Sequence, residues 1–198
     1  MPVIHLVDDD PDVTDACQFL LETLGYSVTV WNDSEKFIQN TALHQEGVVL
    51  LDMRMPKLDG RQVHQHLREQ QSTLAVIFLS GHGDIPMAVE QVKLGAVDFL
   101  QKPIDSQLLA KTLKQAQSQT TKATEGYLIQ QRYDTLTPRE KDICGYVLQG
   151  LINREIAEAA CVSVRTVEVH RSRVMEKMAV RNLAELMSTM QAINALNE

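Results

Sequence analysis

The sequence predicts an α/β doubly wound domain with a five-stranded parallel sheet, followed by a small all-α domain containing a helix-turn-helix. Three observations predict it. Over residues 1–120, short apolar runs alternate with stretches of helical periodicity, five times over. The longest of these runs, Val48–Leu51 and Leu74–Leu79, are apolar throughout, as expected of parallel strands covered on both faces. From residue 135 to the end the pattern is helical. Residues 118–134 are polar and weakly patterned, and a linker is placed at 121–134.

Each element has its own signal. Val3–Val7 is an apolar run ending in Asp8-Asp9-Asp10. Pro11 opens a helix with Val13, Ala16, Cys17, Leu20, Leu21 and Leu24 on one face, closed by Gly25. Ser27–Trp31 alternates like a strand, and Ser34 is the expected N-cap of a helix to Leu43. Val48–Leu51 is a buried strand ending at Asp52, followed by a helix over Gly60–Arg68. Leu74–Leu79 is a further buried strand, followed by a helix over Pro86–Leu94 with Asp84 near its start. Asp98–Lys102 is a short strand and Ser106–Gln117 the last helix of the first domain. In the second domain, Thr137 suits an N-cap, Pro138 the first helical position and Glu140 the reciprocal place of a capping box. Helices are expected at 138–149, 153–160, 164–178 and 182–195.

Composition narrows the class. No apolar run reaches the length of a membrane span, and no secretory leader is apparent, so a cytoplasmic protein without membrane contact is expected. Cys17, Cys144 and Cys161 are an odd number in no metal-ligand spacing and are expected to be buried thiols in a reducing compartment. The net charge of -7 is uneven: residues 1–120 hold 9 basic and 16 acidic side chains, residues 121–198 hold 10 of each. Within 164–181, Arg165, Arg171, Arg173, Lys177 and Arg181 stand against Glu168 and Glu176, so the basic stretch lies near the C-terminus.

The candidate site follows from where a doubly wound sheet gathers its functional groups, at the carboxyl ends of strands beside the topological switch point. Asp8, Asp9 and Asp10 follow the first strand, Asp52 ends the third, Ser80 the fourth and Lys102 the fifth. Taken singly, each is more often a turn, cap or surface residue. Together they place carboxylates, a hydroxyl and an ammonium on one rim. Clustered carboxylates repel unless a cation joins them, and hard oxygen donors suit Mg²⁺. A carboxylate can attack a phosphoryl group to form an acyl phosphate, with a metal ion and a lysine offsetting the spread negative charge.

These residues carry a resemblance. Val7-Asp8-Asp9-Asp10, Leu51-Asp52-Met53-Arg54-Met55-Pro56, Leu58-Asp59-Gly60, Leu79-Ser80-Gly81-His82-Gly83-Asp84 and Gly95–Pro103 resemble the flavodoxin-like receiver domain of two-component response regulators, the FixJ subgroup in particular. The resemblance implies Asp52 as phosphoacceptor, Asp8 and Asp9 as the acidic pair, and Asp9, Asp52 and the Arg54 backbone carbonyl as Mg²⁺ ligands. It further implies Ser80 as switch hydroxyl, Phe99 as aromatic switch, Lys102 as phosphate-binding lysine and a cis Lys102-Pro103 peptide. Ser80 and Phe99 stand where threonine and tyrosine are common in the family, and both keep the mechanism. Asp10 reads as a helix-start residue instead.

In the second domain, Ile156, Ala157, Val162, Val167, Val174 and Met178 form a compact apolar seam across a helix-turn-helix, with Ser163 as cap of the second helix. That helix offers Arg165, Thr166, Glu168, Val169, Arg171, Ser172 and Arg173 to solvent, a set able to meet base edges and phosphates. By composition alone a charged solvated face explains them equally. Leu136-Thr137-Pro138-Arg139-Glu140, Gly150–Ala157 and Ser163–Arg171 resemble the LuxR-type helix-turn-helix, which implies that the face binds DNA. His170 fits either a phosphate contact or a buried structural role. Leu183, Leu186, Met187 and Met190 read as core packing, to which the family adds a dimer contact.

The expectation is a response regulator that is not an enzyme. A sensor histidine kinase would phosphorylate it at Asp52, and it would bind double-stranded promoter DNA. An aspartate-based phosphatase is the main alternative, since Asp8 and Asp10 have that spacing, but Asp52, Ser80, Lys102 and the appended helix-turn-helix fit the regulator. Screening ends direct charge effects within roughly 10 Å, so a bistable element must link phosphate to DNA. If Ser80 turns to a phosphoryl oxygen and Phe99 rotates inward, the face of Met87, Val89, Glu90, Lys93 and Asp98 changes. That face is expected to form a homodimer on phosphorylation, with release of an inhibited reader as the second route.

Overall fold

The computed structural model describes residues 3–81 and 84–194. His82 and Gly83 of the Ser80–Asp84 motif, and residue 195 of the last expected helix, lie outside them. Residue contacts divide the chain into two units, residues 1–124 and 125–198.

In the first unit, β1 (Val3–Val7), β2 (Val28–Trp31), β3 (Gly47–Asp52), β4 (Ala75–Ser80) and β5 (Asp98–Gln101) form one parallel sheet in the order β2-β1-β3-β4-β5. All six residues of β3 and of β4 are buried, which is why their sequences are apolar without alternation. One apolar cluster, including Ile4, Leu6, Leu50, Ile77 and Leu113, fills one face of the sheet. The other, including Val7, Phe37, Val49, Leu51, Val63 and Phe78, fills the opposite face. The chain leaves β1 toward β2 and returns to the other side of β1 as β3, so the carboxyl ends of β1 and β3 flank the switch point.

The helices α1 (Pro11–Thr23), α2 (Ser34–Asn40), α3 (Gly60–Glu69) and α4 (Ile85–Lys93) follow the first four strands within a few residues of their expected bounds. Asp33, not Ser34, caps α2: its carboxylate accepts from the N–H groups of Glu35 and Lys36, and Ser34 is the buried first helical residue. The larger difference is α5, which does not stop at Gln117 but runs Ser106–Asp134. Thr112, Ala116, Thr120 and Thr124 are all buried and four residues apart, so one helical face continues through the stretch expected to be linker. The Thr120 hydroxyl donates to the Thr73 carbonyl (2.7 Å) and accepts from the Gly47 N–H (3.1 Å).

In the second unit, Ile129 and Tyr133 of the same helix pack on a core shared by α6 (Pro138–Leu148), α7 (Asn153–Ala159), α8 (Val164–Met178) and α9 (Leu183–Asn194). Thr137 and Glu140 form the expected capping box, and Ser163 caps α8. Leu186 is buried and Leu183 and Met190 are half-buried on this core, whereas Met187 is exposed. Cys17 and Cys144 are buried, but Cys161 is exposed, because it occupies the left-handed turn residue (φ 50°) between α7 and α8.

Candidate functional site

The rim of the sheet assembles as its strand ends require. Lys102, just past β5, places its ammonium 2.6 Å from Asp8 Oδ2 and 2.6 Å from Asp52 Oδ1. The other oxygen of each carboxylate accepts a backbone N–H, Asp10 to Asp8 (3.0 Å) and Arg54 to Asp52 (2.8 Å). Asp8 and Asp52 are buried and Asp9 is exposed, and an oxygen from each lies within 4.8 Å of the others. Burial pushes the Asp52 carboxyl above its ordinary range; the Lys102 hydrogen bond opposes this and the Asp8 charge adds to it. Burial works against the Lys102 charge, but its hydrogen bonds to Asp52 and Asp8 outweigh it and lift that ammonium above its ordinary value.

Local geometry fixes Asp52. Gly60 opens α3 so close to the strand end that a Cβ there would lie 2.3 Å from the Asp52 carbonyl oxygen, which only glycine permits. Asp59 caps α3 in a reciprocal pair with Gln62. Thus Leu58-Asp59-Gly60 is a seat for the loop after Asp52. Asp10 caps α1, accepting from Asp12 N, and stands apart from the carboxylate cluster.

Ser80 is fully buried at the end of β4, its hydroxyl 3.5 Å from the Leu100 carbonyl oxygen. Phe99 is half-buried against the same cluster as Met87. The Lys102-Pro103 peptide is cis. Of the other α4–β5 residues named from sequence, Val89, Glu90 and Lys93 are exposed, and Met87 and Asp98 are half-buried. Arg54 contributes more than the expected carbonyl position: its guanidinium lies 2.6 Å from Asp84, through both Nε and Nη2. No spacing signal marks a pair 30 residues apart.

A divalent cation fits the donor set. Three carboxylates with one ammonium leave two negative charges uncompensated, and all the oxygens are hard donors. Asp8, Asp9 and Asp52 are the residues that would hold the ion.

On α8, the buried stripe is Val167, Val174 and Met178. Arg165, Glu168, Val169, Ser172 and Arg173 are exposed on the other side, as a recognition face requires. Thr166, His170 and Arg171 are half-buried, a correction to the expectation that Thr166 and Arg171 are fully presented. The cause is local: Thr166 bonds back to the Ser163 cap, and Arg171 donates to Asn153 Oδ1 at 2.9 Å. Arg165 lies 3.4 Å from Glu168 on the exposed face. His170 Nδ1 is buried, with no hydrogen-bond partner among the described residues. The pairing of Asn153 with Arg171 carried no sequence signal, because the two lie on different helices.

Residues 4–114 match the response regulator receiver domain family, and residues 134–190 match the luxR family of bacterial regulatory proteins. The chain is 56% identical over 186 residues to the tetrathionate response regulatory protein TtrR of Salmonella typhimurium, covering 94% of this chain and 90% of that one. It is 37% identical to the transcriptional regulatory protein FixJ of Bradyrhizobium diazoefficiens, covering 98% and 97%. Among solved structures, response regulator StyR superposes with a TM-score of 0.73 at 31% identity, covering 96% of this chain and 98% of that one. These relatives, matched over at least 90% of each, are named as regulatory proteins, which sets aside the phosphatase alternative. The chain therefore belongs to the two-component response regulators that join a receiver domain to a LuxR-type DNA-binding domain and regulate transcription.

Proposed function

We propose that Asp52 accepts a phosphoryl group from a sensor histidine kinase and that this controls dimerisation and promoter binding. The observation that carries the reading is the Lys102 ammonium held 2.6 Å from both Asp8 and Asp52 at the switch point. An Asp52 oxygen bonds to phosphorus as the P–N bond of the kinase phosphohistidine breaks; the electron pair leaves with the imidazole nitrogen, which takes a proton. Lys102 is placed to follow the phosphoryl oxygens, and Ser80 can turn from the Leu100 carbonyl to donate to one. Mg²⁺, when bound, would offset the repulsion between the carboxylate and phosphoryl oxygens as they approach. Asp8, Asp9, Asp52 and the Arg54 carbonyl are assigned to it, and Phe99 to the space Ser80 vacates. The test is labelling of the whole chain with a small phosphodonor and Mg²⁺: one acyl phosphate on Asp52 is expected, and label persisting in Asp52→Asn overturns the assignment.

Phosphorylated receivers pair through Met87, Val89, Glu90, Lys93 and Asp98, which raises the effective concentration of two readers on paired half-sites of double-stranded DNA. Arg165, Thr166, Glu168, Val169, His170, Arg171, Ser172 and Arg173 form the reading surface. The outward pair of Arg165 with Glu168 favours base contact at its centre, and half-buried Arg171 favours a phosphate. Sedimentation of phosphorylated and unphosphorylated chain checks the pairing. Glu168→Ala should relax sequence preference without tightening binding equally on all sequences. The stimulus to test first is tetrathionate, because the 56% identical relative is named for that response.

A further inference from the structure

Asp84 is an N-cap residue that does not cap. It precedes α4, yet its backbone is αR and its side chain makes no hydrogen bond to the helix. The carboxylate is 5% exposed and spends its two oxygens elsewhere: Oδ1 takes the Arg54 guanidinium at 2.6 Å, and Oδ2 accepts from Gly81 N at 3.2 Å. Gly81 directly follows Ser80, and Arg54 lies two residues past Asp52, its own N–H bonded to the Asp52 carboxylate. One buried negative charge at the start of α4 is thus matched by one cation, 69% exposed, on the loop that carries Asp52.

The geometry points to the Arg54–Asp84 ion pair as a latch that couples the phosphorylation state of Asp52 to the start of α4. The inference rests on Asp52 as phosphoacceptor. A phosphoryl group adds negative charge and acceptor oxygens next to Arg54, and guanidinium binds such oxygens in preference to a single carboxylate oxygen. Drawn toward it, Arg54 leaves Asp84 buried and unpaired, a state that buried carboxylates do not tolerate. The nearest remedy is the Met87 N–H in the first turn of α4, which a cap residue ordinarily serves, Pro86 having no N–H to offer. Asp84 then moves from latch to cap and gives up its hydrogen bond from Gly81 N–H. The other end of α4 stays held, because buried Gln91 accepts from His64 Nδ1 of α3 at 2.8 Å. The latch therefore acts on the N-terminal part of α4, beside Met87.

The test is hydrogen exchange of the α4 peptides in the full-length chain, for wild type, Arg54→Gln, Asp84→Asn and the double substitution. Without phosphodonor, each single variant should exchange about tenfold faster than wild type at the start of α4, as expected for a lost half-exposed ion pair, and the double no faster than either. With acetyl phosphate and Mg²⁺, wild-type α4 should change its exchange, whereas Asp84→Asn, labelled to the same extent, should change at least threefold less. Additive single effects, or an Asp84→Asn protein matching wild type with and without label, overturn the latch alone. A wild-type chain that takes no label on Asp52 overturns the phosphoacceptor assignment and the latch with it.

Discussion

Lys102 and Lys177 each lie 2.6 Å from an oxygen of a buried carboxylate, one in each unit of the chain. At Lys177 the charges match one to one. Glu140 takes the ammonium and the Thr137 N–H, Lys177 also donates to the Thr135 carbonyl, and the Glu140 carboxyl is held down at about 2, first by the Lys177 hydrogen bond and then by that of Thr137. At Lys102 one ammonium serves two carboxylates with a third nearby, and burial with the Asp8 charge pushes Asp52 up instead. The same pairing of ammonium with carboxylate is a rivet in one place and an incomplete site in the other. Distance does not separate the two; the surplus of negative charge does.

Four substitutions probe that contrast. The largest effect is on labelling: Asp52→Asn should abolish acyl-phosphate formation, read by intact mass, while the unfolding free energy of the unlabelled protein, from chemical denaturation, stays level or rises by about 1 kcal/mol, since a repelled buried carboxylate is removed. A marked loss of stability would make the Lys102 cluster a rivet as well. Lys177→Ala should cost the second unit about 2 kcal/mol, below the range for fully buried pairs because Lys177 is 33% exposed. Chemical denaturation of the whole chain, followed by exchange in the second unit, measures it.

The pH dependence is smaller and has a definite sign. The folded carboxyl of Glu140 lies at about 2, below its ordinary 4.5, so its contribution is present above pH 4.5 and is lost as pH falls toward 2. Denaturation of wild type minus Glu140→Gln between pH 5 and 3 should show that loss, and parallel curves would remove the rivet. The smallest stability effect belongs to Arg165, 84% exposed in its pair with Glu168. Arg165→Ala should change stability by less than about 0.5 kcal/mol, as surface pairs do. Arg171, the side chain assigned to a phosphate, should flatten the salt slope of DNA binding by about one unit when neutralised.

Most of the fold was legible because β3 and β4 are buried on both faces and so carry unbroken apolar runs. The rim was legible for a related reason: in a parallel sheet each strand end announces its position, and Asp8, Asp52, Ser80 and Lys102 all stand at one. Contacts that close through space carry no such announcement. Arg54 with Asp84 and Arg171 with Asn153 join residues 30 and 18 apart on different elements. At α2 two good capping residues are adjacent, and only the backbone decides that Asp33 takes the part. The run of α5 beyond Gln117 was hidden because its buried face is made of threonine, which hydropathy counts as surface. Cys161 was misjudged by a general habit of free thiols that a left-handed turn overrides.

Thr120 has a consequence for how such regulators can be recombined. Its single hydroxyl satisfies the N–H of Gly47 and the carbonyl of Thr73, and it sits six residues beyond the last position matched to the receiver family. A receiver cut where similarity ends would keep every group of the carboxylate rim and orphan two backbone groups at the opposite end of the sheet, each costing about 1–3 kcal/mol. The natural seam for exchanging output domains is therefore set by hydrogen-bond closure, after Thr124, and not by the edge of recognisable sequence.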